Sequence, residues 1–142
     1  MPSRRKSREL ALQMLFQWEV GQHTPGKVLA AFLPAHKADD EVKEFARRLF
    51  EGTVAEIESI DPLVRRHAEH WKLERMAAVD RNVLRLAIYE MLHHPETPPA
   101  VVINEALELA RRFSTPDAVE FANGVLDAVR KSLASPAASG KE

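Results

Sequence analysis

Four cations open the chain at Arg4, Arg5, Lys6 and Arg8, and one aromatic ring, Phe16, follows on the same stretch, RRKSRELALQMLFQW. Guanidinium and ammonium groups meet phosphates, and an exposed ring offers a face on which a base can stack. The ring's position gives that chemistry a geometry. At about 100° per residue, Leu10, Ala11, Met14, Leu15 and Trp18 fall within one apolar arc about 140° wide, as a core-facing helix requires. Phe16 points about 100° beyond Leu15, beside Glu9 and Gln13, on the polar side. Cations with an off-stripe aromatic suggest single-stranded nucleic acid. A solvated basic helix end, with Phe16 packed on a neighbouring helix, accounts for the same residues, and this stretch does not decide between them.

Catalytic chemistry finds little to work with. Glu90 and His93 have the Glu-x-x-His spacing of a helical carboxylate metal site, but such sites need a second copy, which is missing. His67 and His70 lie three apart without a third ligand nearby in sequence. There is no glycine-rich phosphate loop and no G-x-S-x-G or H-E-x-x-H motif. With no cysteine there is no disulfide, thiolate metal site or cysteine nucleophile. The residues therefore predict no catalytic site, metal or cofactor. A metal-dependent helical enzyme and a pure protein-interaction module stand as the competing classes.

At 142 residues, the chain is long enough for one domain with a real core, or for two small subdomains that share an interface. Its 20 Lys and Arg against 21 Asp and Glu give a net charge of −1, so a nucleic-acid site must be a local patch. No apolar run approaches the length of a membrane span, and the basic start is not followed by a signal-peptide core. The expectation is a soluble, cytoplasmic protein with no membrane partner.

The elements that must position these residues read as helices throughout. The first runs from about Arg4 or Ser7 to Val20 and stops at Gly21. Thr24-Pro25 caps a short second helix carrying Val28, Leu29, Phe32 and Leu33, which Pro34 ends. Asp39, Asp40 and Glu41 start a third, with a stripe of Val42, Phe45, Ala46, Leu49, Thr53, Ile57 and Ile60. Gly52 within it weakens the helix or allows close packing. Asp61-Pro62 reads as a cap followed by proline, opening a fourth helix with Leu63, Val64, Ala68 and Trp71 on its core face. A short turn near Leu73 to Ala78 precedes a fifth helix from about Asp80, read as its N-cap, to Leu92. Pro98-Pro99 leads into a sixth, with Val102, Ile103, Ala106, Leu109, Ala110 and Phe113 inward and Arg111 and Arg112 mostly outside the stripe. Ser114-Thr115-Pro116-Asp117 starts the last, whose core face is Ala122, Val125, Leu126, Val129 and Leu133. Residues 135–142 read as a disordered tail. No stretch alternates with period two, so the expected fold is all-α with about seven helices.

Taken together, RRKSRELALQMLFQWE, WKLERMAAVDRNVLRLAIYEML, PPAVVINEALELARRFSTPD and EFANGVLDAV resemble, in order and at the right total length, the NusB family of bacterial transcription antitermination factors, from Arg4 to about Val129. The resemblance implies a single helical RNA-binding domain over residues 1–134, made of two stacked three-helix units, about 1–71 and 72–134. It implies binding of the boxA element of ribosomal RNA leader transcripts together with the ribosomal protein NusE, in the RNA polymerase antitermination complex with other Nus factors. The residues it implies for single-stranded boxA RNA are Arg4, Arg5, Lys6, Arg8, Phe16 (where relatives often carry Tyr), Asp117 and Phe121. Asp117 reads equally as a helix-start acid, and Phe121 equally as core. Asn123 and Gly124 complete the F-x-N-G motif, with local hydrogen bonding for the first and close helix packing for the second as the blander readings. For NusE the resemblance implies Asp80, Tyr89 and Glu90; a capping acid, a half-buried ring and a surface ion pair are their alternatives.

Overall fold

The computed structural model describes residues 4–134, so the expected disordered tail at 135–142 lies outside the described residues. Among the described residues there are seven α-helices and no strand: α1 (Arg4–Gly21), α2 (Pro25–Phe32), α3 (Asp40–Ala55), α4 (Ile57–His67), α5 (Ala78–His93), α6 (Pro99–Phe113) and α7 (Pro116–Ala134). Short 3-10 turns at Leu33–Ala35 and Leu73–Arg75 follow α2 and precede α5. The all-α expectation holds.

Two of the three expected cap-then-proline starts form. The Thr24 hydroxyl accepts from the Lys27 N–H at 3.3 Å, with Pro25 in the first turn. The Thr115 hydroxyl accepts from the Ala118 N–H at 3.1 Å, ahead of Pro116. The third is overturned. The chain breaks at Glu56, one residue after α3 ends, so Ile57 starts α4 and Pro62 lies inside it. Proline removes only the bond to the Glu58 carbonyl, on an exposed turn where water reaches it. Asp61, freed from capping, receives Arg85 Nε and Nη2 at 2.8 and 2.9 Å. Asp80 is likewise not an N-cap. Ala77 precedes the helix and Asp80 is its third residue, where its charge still favours the N-terminal dipole.

One apolar cluster runs through all seven helices, from Leu10 on α1 to Val129 on α7. At its centre lies α1, packed most extensively on α3 and α5. The arithmetic that gave α1 one inward arc understates it. From Ser7 to Leu15 every residue except Gln13 is buried, including Leu12 on the presumed polar side, because neighbours flank the helix on most sides. Trp18, expected in the core, is only partly buried as the last turns of α1 leave the bundle. Leu133, also expected inside, is exposed near the end of α7. So is Trp71, since α4 stops at His67 and never carries it into the core.

Gly52 and Gly124 show opposite reasons for a glycine in mid-helix. A Cβ on Gly52 would lie 2.1 Å from the Tyr89 ring, so its absence lets α3 and α5 meet. A Cβ on Gly124 would meet nothing within 4 Å, which overturns the close-packing reading. The same substitution should therefore change sign with position. Gly52→Ala is expected to displace Tyr89 and cost about 1–3 kcal/mol, whereas Gly124→Ala should stabilise by up to about 1 kcal/mol. Urea melts of the two variants check this, and matching shifts would contradict it.

Candidate nucleic-acid interface

The basic run does not act as one patch, because each cation meets a different neighbour. Arg4 lies over the Phe45 ring at 3.8 Å, in a hollow edged by Asp40, Glu41 and Glu44. Those carboxylates make it a poor place for phosphate. Arg5 makes a two-pronged contact with Glu105 of α6, both bonds 3.0 Å, while more than half of its side chain remains in solvent. Arg5 is thereby the main cause holding the Glu105 carboxyl below its usual range. Lys6 is exposed, with its ammonium 3.8 Å from Glu9.

Arg8, expected at the RNA surface, is buried at 6% exposure, and its partner is Glu90, buried at 1%. The two carboxylate oxygens accept from Nε at 2.9 Å and Nη2 at 2.5 Å across 82 residues of sequence. Val83, Leu86, Ala87, Val102, Ala106 and Leu109 wall the pair. This corrects two expectations together: Arg8 cannot reach a phosphate, and Glu90, expected on the partner surface, cannot reach a protein. An isolated charge in that setting would be very costly, so the two are buried only as a pair. It also removes Glu90 from the Glu-x-x-His motif. His67 Nε2 is buried without a hydrogen-bond partner, and burial, then Arg66, lowers its pKa. Among the described residues no three potential ligands gather around either histidine motif.

Arg5 and Phe16, both exposed, lie along a seam whose intervening residues are buried. Arg5, Glu9, Leu12 and Phe16 succeed one another at i+4, i+3 and i+4, a line down one face of α1. Opposite them α6 presents Glu105 to Arg5, Arg112 to Glu9, and Phe113 beside Phe16. Phe16 is 40% exposed, as its off-stripe direction predicts. With Leu12, Gln13, Phe32, His36 and Phe113 it borders an apolar hollow of about 360 Å³. Arg112 completes this seam and was missed as a site residue. Its guanidinium is held by the buried Glu9 and lies 5.3 Å from the Phe113 ring, yet it is largely solvent-exposed. Sequence alone shows only two arginines ending a helix; their relevance appears once α6 is seen to lie beside α1.

A second hollow, of about 200 Å³, opens past the start of α5 and holds the other two RNA candidates. Phe121 lines it and is half-buried, its ring 6.0 Å from that of Trp71 at 67°. Asp117 is exposed at its rim in the first turn of α7. Between the hollows, the Ser114 hydroxyl donates to Asp80 Oδ1 at 2.5 Å. Asn123 and Gly124 are exposed beyond Phe121. The remaining partner candidates do not share a face. Asp80 and Tyr89 are nine residues apart on α5, about 180° around the helix. Asp80 faces the α6–α7 turn, while Tyr89 lies against Gly52 with its hydroxyl pKa raised, chiefly by burial.

Comparison with known proteins places this architecture. The NusB family model matches residues 5–131. The chain is 54% identical over 132 residues to the transcription antitermination protein NusB of Koribacter versatilis, covering 92% of this chain and 90% of that one. Among solved structures, NusB of T. maritima superposes with a TM-score of 0.85 at 39% identity, covering 92% and 93% of the two chains. A crystal structure of the antitermination factors NusB and NusE in complex with dsRNA superposes with a TM-score of 0.83 at 27% identity, covering 91% and 96%.

The buried pair yields a folding prediction that separates it from any ligand role. Arg8→Ala should destabilise by about 3–5 kcal/mol by leaving Glu90 uncompensated, and Arg8→Met with Glu90→Leu should recover most of that loss. Denaturant melts decide: an Arg8→Ala variant as stable as the parent would show that the guanidinium has no structural task.

Proposed function

The chain belongs to the NusB family, and on that premise we propose that it is a non-catalytic antitermination factor that binds single-stranded boxA RNA of ribosomal leader transcripts together with NusE. It would act in the RNA polymerase antitermination complex with other Nus factors. Among the described residues no helix is long and apolar enough to cross a membrane, and the proposed work on nascent transcripts gives it a cytoplasmic location.

The observation that carries the RNA reading is the seam. An exposed ring, Phe16, lies on the same line of α1 as Arg5 and as Glu9, which holds Arg112 of α6, and it shares a hollow with Phe113. Arg5, Lys6 and Arg112 supply charge, Phe16 a stacking face, and Phe121 and Asp117 extend the path past the α6–α7 turn. Arg4 contributes at most from the side, and Arg8 only by holding α1 in place. For NusE, Asp80 is the candidate that lies on the same side as the α6–α7 turn; Tyr89, against Gly52 on the other side of α5, does not share that face.

Titration of boxA-type and scrambled single strands, each with and without NusE, tests the proposal. Preference for boxA that strengthens with NusE is expected; equal, weak binding of both strands under all conditions would remove it. With three or four phosphate contacts, the slope of log affinity against log salt should be about −2 to −3. Replacing Arg5 and Lys6 by Ala should flatten it by up to about 1.4. An unchanged slope would make both cations bystanders.

Phe16 and Asp80 give the residue-level tests. Phe16→Ala should cost less than about 1.5 kcal/mol of stability but about 1–3 kcal/mol of RNA binding, with Phe16→Tyr retaining or improving it. If Phe16→Ala binds boxA like the parent, no base stacks there. Asp80→Lys should weaken NusE binding while sparing binding of RNA alone. Asp80→Asn, which keeps an acceptor for the Ser114 hydroxyl, separates charge from local structure. Wild-type NusE affinity in both variants would leave Asp80 with only its hydrogen bond.

A further inference from the structure

Trp71, at 60%, has the highest exposure of any large apolar side chain among the described residues. The segment that displays it is fixed. Trp71 N–H donates to the Ala68 carbonyl at 2.9 Å, and Ala68 and Leu73 on either side are buried. The Arg81 guanidinium, itself held by Glu19, donates to the carbonyls of Leu73 at 3.1 Å and Met76 at 2.7 Å. The indole is therefore presented to solvent from a tied platform, so little ordering would be needed when something binds it.

Its surroundings indicate what that ligand is. Between residues 65 and 75 the chain carries four cations, Arg65, Arg66, Lys72 and Arg75, against two carboxylates, Glu69 and Glu74. Glu74 is already engaged by Arg65. Asp80 and Asp117 also line the hollow beside Trp71, so there is no net positive field; Lys72, next to Trp71 in the chain, and Arg75, on the hollow's lining, are the cations that accompany an exposed ring of the kind on which single-stranded nucleic acid stacks. One edge of Trp71 meets Phe121, and the two rings with Met76 and Ala118 line the 200 Å³ hollow. That volume suits one flat ring, being below the roughly 300 Å³ at which pockets for larger ligands begin. The hollow also adjoins the Phe16 seam, with Val79 and Phe113 lining one side of the Ser114–Asp80 bond and Asp80 and Thr115 the other.

We propose that Trp71 stacks an unpaired base of the RNA strand bound along the α1–α6 seam, the base edge lying in the hollow beside Phe121 and the flanking phosphates meeting Lys72 and Arg75. This second base position rests on the RNA-binding reading above and extends it to the segment between α4 and α5. Stacking makes it tolerant of base identity, so it adds affinity and anchors one end of the strand while discrimination lies elsewhere.

The test is a boxA-type single strand titrated against Trp71→Ala, Trp71→Phe and the Arg5→Ala, Lys6→Ala double variant, with abasic nucleotides placed at each position in turn. Trp71→Ala should lose about 5- to 150-fold in affinity, and Trp71→Phe should lose far less. One abasic position should weaken the parent but not Trp71→Ala. In a Trp18→Phe background, where Trp71 is the sole tryptophan, saturation with RNA should quench its fluorescence. If Trp71→Ala binds within twofold of the parent while the double variant is weakened, the base position is wrong and the RNA reading stands. Loss of NusE binding with unaltered RNA affinity in Trp71→Ala would make the hollow a protein site and overturn the proposal. If the parent binds no boxA RNA, the reading beneath it fails as well.

Discussion

Everything on the surface of this protein depends on the register of α1 against α5, which charged pairs fix at both ends. Near one end Arg8 meets Glu90; toward the other, Glu19 receives Arg81 and Arg85 at 2.8–3.1 Å. Early α1 meets late α5 and late α1 meets early α5, so the helices are antiparallel and cannot slide without breaking both contacts. Such pairs add little net stability once desolvation is counted, but a slipped register would bury unpaired charges, which is far costlier. Burial alone would raise the Glu19 pKa; hydrogen bonds from Arg81 and Arg85 outweigh it and hold the carboxyl below its usual value. Its contribution is thus present above the unfolded carboxylate pKa of about 4.3 and fades as pH falls through the lower folded value.

That fixed register places the RNA candidates. With α1 held on α5, the line of Arg5, Glu9, Leu12 and Phe16 is turned toward α6, and Arg81 ties down the segment that displays Trp71. Asp61 extends the Glu19 end into α4 through Arg85. Residues buried for structural reasons therefore aim the exposed ones, though they touch no ligand themselves.

Local chemistry was legible in the sequence and long-range partnership was not. Helical periodicity places Phe16 off the core stripe because that arithmetic needs only neighbouring residues, and the Thr24 and Thr115 caps follow from chemistry within four positions. Asp61, Asp80 and Arg8 fail for one shared reason. Each has a plausible local task, as cap, cap and member of a basic run, but Arg85, Ser114 and Glu90 claim them across 24, 34 and 82 residues. Trp71 escaped notice as a surface group because a continuous helix through Ala68 would have carried it inward. Arg112 escaped because its relevance depends on α6 lying beside α1.

The seam's cations are already paired, and this bears on how selectively it binds. Arg5 lies against Glu105 and Arg112 against Glu9, so an incoming phosphate must replace a carboxylate rather than meet a bare cation. Exposed ion pairs are in general worth about 0–1 kcal/mol, so releasing Arg5 from Glu105 is cheap but not free, whereas taking Arg112 from the buried Glu9 costs more. A strand that offers phosphates alone gains little net energy from either exchange, particularly at physiological salt, where free cations elsewhere would bind any polyanion. A strand that also places unpaired bases on Phe16 gains the stacking energy in addition. Pairing each cation in advance thus lowers the electrostatic share of binding that every RNA would enjoy, and raises the relative weight of contacts that only an unpaired segment can make.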